Sequence, residues 1–240
     1  MTATKQRVQE QHAFLLHSHP FRETSLIVEI FSREHGRLPI VARGARRPRA
    51  ALRGVLMSFQ PLLLSWFGKG EVKTLHSAEW QGGQPQLQGT ALMCGFYLNE
   101  LLLNLLVRDD PHEALFEYYR LTLHRLAHEE DHAATLRCFE KHLLQELGYA
   151  LALEHEVGSG KPIAPDSIYR YVVERGALPD ETTQEGLPVR GKTLLDMAVD
   201  DYRDPLTAQQ SKQLMRVLLN HHLGGRALHT RELIKDLQKL

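Results

Sequence analysis

The chain has 240 residues, 29 Lys/Arg against 29 Asp/Glu, and a hydrophobic fraction of 42%. Those values exclude a disordered or low-complexity polypeptide and fit a globular protein of one large or two small domains. Cys94 and Cys138 give no CxxC spacing, the N-terminus has no apolar leader, and the apolar stretch near Leu98 to Val107 is broken by Asn99, Glu100 and Asn104. We therefore expect a reducing, cytoplasmic setting, no disulfide framework and no membrane span.

The first eighty residues read as strands. His12 to His17 is a short apolar run, and Ser25 to Phe31 is rich in β-branched residues. Gly36 to Ala42 follows a Glu-His-Gly turn, which is a hairpin signal. Pro61 to Phe67 is joined through Gly68-Lys69-Gly70 to Val72–Trp80, where apolar and polar residues alternate. Five short strands with glycine turns predict a small closed barrel of the oligonucleotide-binding (OB) type.

Gly82-Gly83-Gln84-Pro85 marks a break, after which the hydrophobic period becomes helical. A buried helix is predicted over Leu87 to Val107. A second helix follows with Asp110 as N-cap and Pro111 at its first position, running to about Ala127. A third covers Asp131 to Leu147, with a Leu136/Phe139/Leu143/Leu147 stripe and Gly148 past its end. Residues 155 to 192 read as an irregular connector. Further helices are predicted over Thr193 to Val199, Pro205 to Leu223 and Arg231 to Leu240. The fold class is thus α+β: a five-stranded OB barrel over 1–82, then an all-helical domain over 83–240.

Charge is unevenly spread. Residues 1 to 80 hold 12 Lys/Arg and 6 Asp/Glu, and the remainder 17 and 23. The segment from 43 to 53 carries Arg43, Arg46, Arg47, Arg49 and Arg53 and no acid. A basic front on an otherwise acidic chain points to a polyanion, most often nucleic acid. The competing reading is a solvated loop without a ligand. With Arg22, Arg33, Arg37, Lys69 and Lys73, these arginines form the candidate DNA-binding set. Phe21, Trp66 and Phe67 are candidates for base stacking, and each also reads as core.

Two segments match catalytic patterns literally. His128-Glu-Glu-Asp-His132 reads HExxH, but its inner positions are acidic, no third ligand is evident, and Asp131 suits the N-cap of the next helix. Gly186 to Thr193 reads GxxxxGKT. Its upstream segment is too polar for a buried strand, and only 47 residues follow Thr193. A metal- or nucleotide-dependent hydrolase is the alternative these matches raise. We assign no catalytic residue, no metal ligand and no cofactor.

Several motifs resemble the RecO family of recombination mediators. They are His17-Ser-His-Pro-Phe-Arg-Glu-Thr-Ser-Leu26, Gly44-Ala-Arg46, Leu52-Arg-Gly54, Phe59-Gln-Pro-Leu-Leu-Leu64 and Gly70-Glu-Val-Lys-Thr-Leu-His-Ser-Ala-Glu79 in the barrel. Tyr97-Leu-Asn-Glu-Leu-Leu102, Leu136-Arg-Cys-Phe-Glu140, Leu144-Gln-Glu-Leu-Gly-Tyr149 and Gly224-Gly-Arg-Ala-Leu-His-Thr-Arg-Glu-Leu233 follow in the family's order. The resemblance implies binding of single- and double-stranded DNA and annealing of complementary strands. It also implies work with RecR and the single-stranded DNA-binding protein (SSB) to load RecA during gap repair, at the bacterial nucleoid. The four cysteines that hold zinc in some members are missing from Glu154 to Arg175. For the acidic C-terminal tail of SSB, the resemblance suggests a pocket of Leu115, Phe116, Arg120, Leu136, Arg137 and Lys141. A protein-binding adaptor with an incidental basic loop is a third reading.

Overall fold

A computed structural model describes residues 7–231. Its first half is a closed barrel with strand order β1-β2-β3-β5-β4. The strands are β1 (Arg7–Phe21), β2 (Ser25–Ser32), β3 (Gly36–Ala42), β4 (Pro61–Phe67) and β5 (Lys73–Trp80), with a four-residue α1 (Leu52–Val55) between β3 and β4. Neighbours pair antiparallel except β3 and β5, whose parallel register at Ile40↔Lys73 and Val41↔Thr74 closes the barrel. Closure removes the exposed strand edges of an open sheet.

The barrel interior is filled by Ala13, Leu15, Val28, Ile30, Leu38, Ile40, Leu62, Leu64 and Trp66. These recur at every second position, as the pleat requires. Part of the outer face is buried too. Phe14 and Phe31 point away from the barrel core and meet Phe116 and Tyr119 of α3 (Glu113–His128), with ring centroids 5.2 to 6.2 Å apart. That is why Ala13 to Leu16 and Val28 to Phe31 are buried without alternation.

A β-bulge drops Leu16 from the register between β1 and β2. Its carbonyl instead accepts from Nδ2 of Asn99, on α2 (Gly89–Leu105), at 2.9 Å. Asn99 Oδ1 accepts from the Tyr119 hydroxyl at 2.5 Å. This buried chain ties β1, α2 and α3, and each of its polar groups is satisfied. It is also why a polar residue interrupts the apolar helix. Glu100, the next interruption, accepts from the backbone N–H groups of His229 and Thr230 at 2.7 and 2.9 Å, capping the helical turn at 229–231. The rest of the helix expected over Arg231 to Leu240 lies outside the described residues.

Gly36 is fixed by close approach. Its φ is +63°, and a Cβ there would stand 1.9 Å from the Asp110 carbonyl oxygen. Asp110 and Pro111 therefore lie alongside β3 rather than opening α3. That helix begins two residues later, with His112 at the N-cap, which corrects the expected start.

The second half contains α4 (His132–Glu146), α5 (Gly191–Ala198) and α6 (Pro205–His222). Asp131 caps α4 by accepting from Ala134 N–H at 2.9 Å. Asp204 caps α6 through Leu206 and Thr207, with Pro205 at the first position. The connector is not irregular throughout, and the domain is not wholly helical. It contains a three-stranded antiparallel sheet of order β7-β6-β8, formed by β6 (Ile168–Val172), β7 (Gly176–Pro179) and β8 (Leu187–Arg190). Pro188 is compatible with this sheet because β8 is an edge strand, where a missing N–H breaks no ladder on the outer side.

Among the described residues, packing divides the chain away from the composition break at Gly82–Pro85. The chain up to Glu129, with the segment from Leu228, forms one compact unit, and Glu130–Ala227 forms the other. Helices α2 and α3 belong to the barrel's unit because their apolar faces are buried with it. Among the described residues, no helix is long and apolar enough to cross a membrane.

Candidate nucleic-acid interface

One end of the barrel carries an open cleft of about 950 Å³. Its rim comes from the β1–β2 turn, the loop after β3 and the start of β5. The cations Arg22, Arg43, Arg47 and Lys73 surround an apolar floor of Phe21, Ile27, Val41 and Val72, with Glu23 as the lining acid. The β2–β3 face between the β1–β2 and β4–β5 loops is where OB barrels take oligonucleotides.

The arginine-rich loop is folded, not trailing. Arg46 N–H donates to the Thr24 carbonyl at 2.9 Å, and Arg47 N–H to that of Gly44 at 3.0 Å. Gly44 has φ +69°, as this turn requires, and Ala45 is buried beneath. The Arg46 guanidinium reaches the Arg22 carbonyl at 3.3 Å, tying the loop to the β1–β2 turn. Arg43, Arg46, Arg47, Arg49 and Arg53 are exposed. Among the described residues, no carboxylate lies within ion-pair distance of any of them, whereas other cations of this unit are paired. Arg43 and Arg47, which share the cleft without counter-charges, repel one another and favour an anionic ligand.

The remaining cations divide. Lys69 is exposed on the β4–β5 turn. Lys73 donates to the Gly70 carbonyl at 2.9 Å and lies 3.6 Å from Asp109, so its charge is partly satisfied. Arg33 and Arg37 lie at the far end of the β2–β3 hairpin, where Ser32 pairs with Gly36, whereas the cleft lies at the Leu26/Ala42 end. Arg33 is within 4 Å of Glu113 and Glu117. Arg37 donates to Glu29 at 3.2 Å and to the Leu106 carbonyl at 3.1 Å. Burial lowers the Arg37 pKa from its ordinary value, Glu29 opposes that shift, and Arg108 adds to it. Of the aromatic candidates, Trp66 belongs to the core, Phe67 lies at the end of β4, and Phe21 lines the cleft.

Leu115 and Phe116 are buried in the first unit, where Phe116 packs on Phe14 and Phe31, and Arg120 pairs with Glu117 at 3.0 Å. In the second unit, Leu136 is partly exposed and Arg137 donates to the buried Glu140 at 2.6 Å. Lys141 is buried. Its ammonium donates to the carbonyls of Met197 and Ala198 at 2.7 and 3.2 Å and lies 2.7 Å from Asp200. It thus neutralises the C-terminal end of α5. Lys141→Met should cost about 2 kcal/mol of stability by leaving that helix end without its cation. Urea unfolding followed by circular dichroism measures this, and an unchanged midpoint would show that the contact is energetically idle.

Neither catalytic pattern adopts the required geometry. Helix α3 ends at His128, Glu129 is extended, and α4 begins at His132, so the two histidines do not occupy successive turns of one helix. In the second pattern, Leu187 to Arg190 form β8 itself, and α5 starts directly at Gly191. No phosphate-cradling loop is left between strand and helix. Lys192 is instead paired with Asp196 and Asp204.

A closed five-stranded barrel with cationic loops around an apolar-floored cleft defines an OB-fold protein. The family described as "Recombination protein O N terminal" matches residues 7–83, and "Recombination protein O C terminal" matches residues 86–232. The chain is 57% identical over 242 residues, covering all of both sequences, to the DNA repair protein RecO of Nitrosospira multiformis. It is 56% identical to that of Aromatoleum aromaticum, over 98% of this chain and 99% of the relative. The chain belongs to the RecO family of DNA repair proteins.

Proposed function

We propose that this protein is a non-catalytic mediator that binds single- and double-stranded DNA through the barrel cleft and anneals complementary strands. It works with RecR and SSB to load RecA on gapped DNA, in the cytoplasm at the nucleoid. The observation that carries the DNA-binding reading is the pair of exposed arginines, Arg43 and Arg47, that line the barrel cleft with no carboxylate in ion-pair distance among the described residues. Family membership supports the partners. Arginine contacts to phosphate carry little base information, so binding should be independent of sequence and steeply dependent on salt. Titration of fluorescent oligonucleotides of unrelated sequence, from about 50 to 200 mM salt, tests this. The expected result is similar affinity for each sequence and a linear fall of log K with log salt. A salt-independent affinity would refute it.

A further inference from the structure

Of the cations that line the cleft, Lys73 alone has a carboxylate within ion-pair distance among the described residues. Its ammonium stands 3.6 Å from the Asp109 carboxylate and donates to the Gly70 carbonyl at 2.9 Å. The Lys73 side chain is 17% exposed, whereas Arg43 and Arg47 are open to solvent. Asp109 lies between α2 and α3, and the backbone there is pinned to β3, the strand on which β5 closes. Asp109 N–H donates to the Arg37 carbonyl at 2.9 Å, Arg108 bridges to Arg37, and the Asp110 carbonyl packs on Gly36. Asp109 itself has φ +56°, a left-handed conformation that Asp and Asn tolerate better than most residues. A fixed backbone therefore holds this carboxylate beside Lys73.

We propose that Asp109 is a competing carboxylate: it occupies Lys73 while the cleft is empty and yields it to a phosphate when nucleic acid binds. This rests on the cleft being the nucleic-acid site. The ammonium must leave Asp109 to reach a phosphate, so each binding event breaks the pair. The cost is small, because Asp109 is half exposed and such pairs are weak. It is enough to keep Lys73 from adding its full share to an affinity that does not read sequence. The linkage is reciprocal: whatever draws Asp109 off Lys73 strengthens nucleic-acid binding by the same factor by which binding weakens the pair. The loop between α2 and α3 thus sets how tightly the cleft holds its ligand.

The test is a double-mutant cycle in the full chain, read by anisotropy titration of a fluorescent oligothymidylate at several salt concentrations. Asp109→Asn keeps the size of the side chain and its tolerance of positive φ. It should bind about threefold more tightly, as expected on freeing an exposed ion pair. Its salt slope should steepen by about 0.7, the value of one added phosphate contact on a single strand. In the Lys73→Ala background the same substitution should change neither quantity. Asp110→Asn removes an equal charge one residue away, where the carboxylate faces His112, and should leave affinity near wild type. Equal gains from Asp109→Asn with and without Lys73, or an equal gain from Asp110→Asn, would overturn the proposal, because the effect would then be a general field and not competition for one ammonium. Unchanged affinity in Asp109→Asn would overturn it too. If Arg43→Ala/Arg47→Ala meanwhile loses binding, the cleft still holds phosphates and only the competition fails. If that variant also binds normally, the cleft itself is the wrong site.

Discussion

Replacing Arg43 and Arg47 together with alanine is expected to weaken single-strand binding about a hundredfold at low salt. Each guanidinium lines the cleft, is exposed, and has no carboxylate within ion-pair distance among the described residues. A charge-assisted hydrogen bond to phosphate contributes roughly 1.5 to 3 kcal/mol, or about tenfold or more for each contact. Loss of two contacts should also reduce the salt slope by about 1.4 for a single strand. Stability should change little, because neither side chain packs in the core. Arg33→Ala is the matched comparison: it removes one charge from the far end of the same hairpin and should leave affinity near wild type. Anisotropy titrations at several salt concentrations read both quantities. Equal losses in Arg33→Ala and the cleft variant would mean that net charge, not the cleft, governs binding.

The barrel was legible because its strands obey a period of two and its turns contain glycine. β2, β3, β4 and β5 fall within a residue or so of the runs that predict them. β1 is longer than its apolar run, because its ends pair through polar residues such as Arg7 and His19. The small sheet over 168–190 was hidden for another reason. Its strands are four or five residues long, too short for a pattern, and Pro179 and Pro188 read as breakers unless the strand order is known. The packing of α2 and α3 with the barrel was also hidden. Burial of Phe14 and Phe31 on the barrel's outer side is a tertiary fact that alternation alone does not encode.

The site shows the same limit. Five arginines adjacent in sequence announce an anionic partner, and the structure sets two of them, Arg43 and Arg47, on the cleft. Lys73 joins them because the β3–β5 pairing closes the barrel and brings the start of β5 beside the loop that follows β3, and Arg22 because the β2–β3 pairing sets the β1–β2 turn against that same loop. Arg33 and Arg37 carry the same charge and lie in the same domain, yet their hairpin end faces Glu113, Glu117 and Glu29. Composition counts cations, but only topology says which of them have partners. Phe21, Trp66 and Phe67 likewise could not be ranked from sequence, since exposure at a strand end depends on what packs over it.

Glu29→Ala should destabilise the barrel unit by about 3 kcal/mol, the low end for removing one partner of a buried ion pair. Glu29 is 7% exposed, and its two oxygens accept from Arg37 and Arg108 separately. It occupies the outer side of β2, opposite His17 in the register. Without it, Arg37 would remain as a largely buried cation, with the Leu106 carbonyl as its remaining acceptor and Arg108 as a like charge nearby. Arg108 is half exposed and could turn to water, which is why the lower value is expected. Both tryptophans, Trp66 and Trp80, lie on barrel strands, so fluorescence-detected urea unfolding reports on this unit. Glu29→Met/Arg37→Met provides the internal check. It removes both buried charges at roughly constant volume and should be more stable than Glu29→Ala alone, because no unpaired cation is left inside. If Glu29→Ala unfolds within about 0.5 kcal/mol of wild type, as an ordinary surface change would, the cluster contributes nothing to the fold. If the double variant is the less stable of the two, the destabilisation comes from lost packing rather than from an unpaired charge.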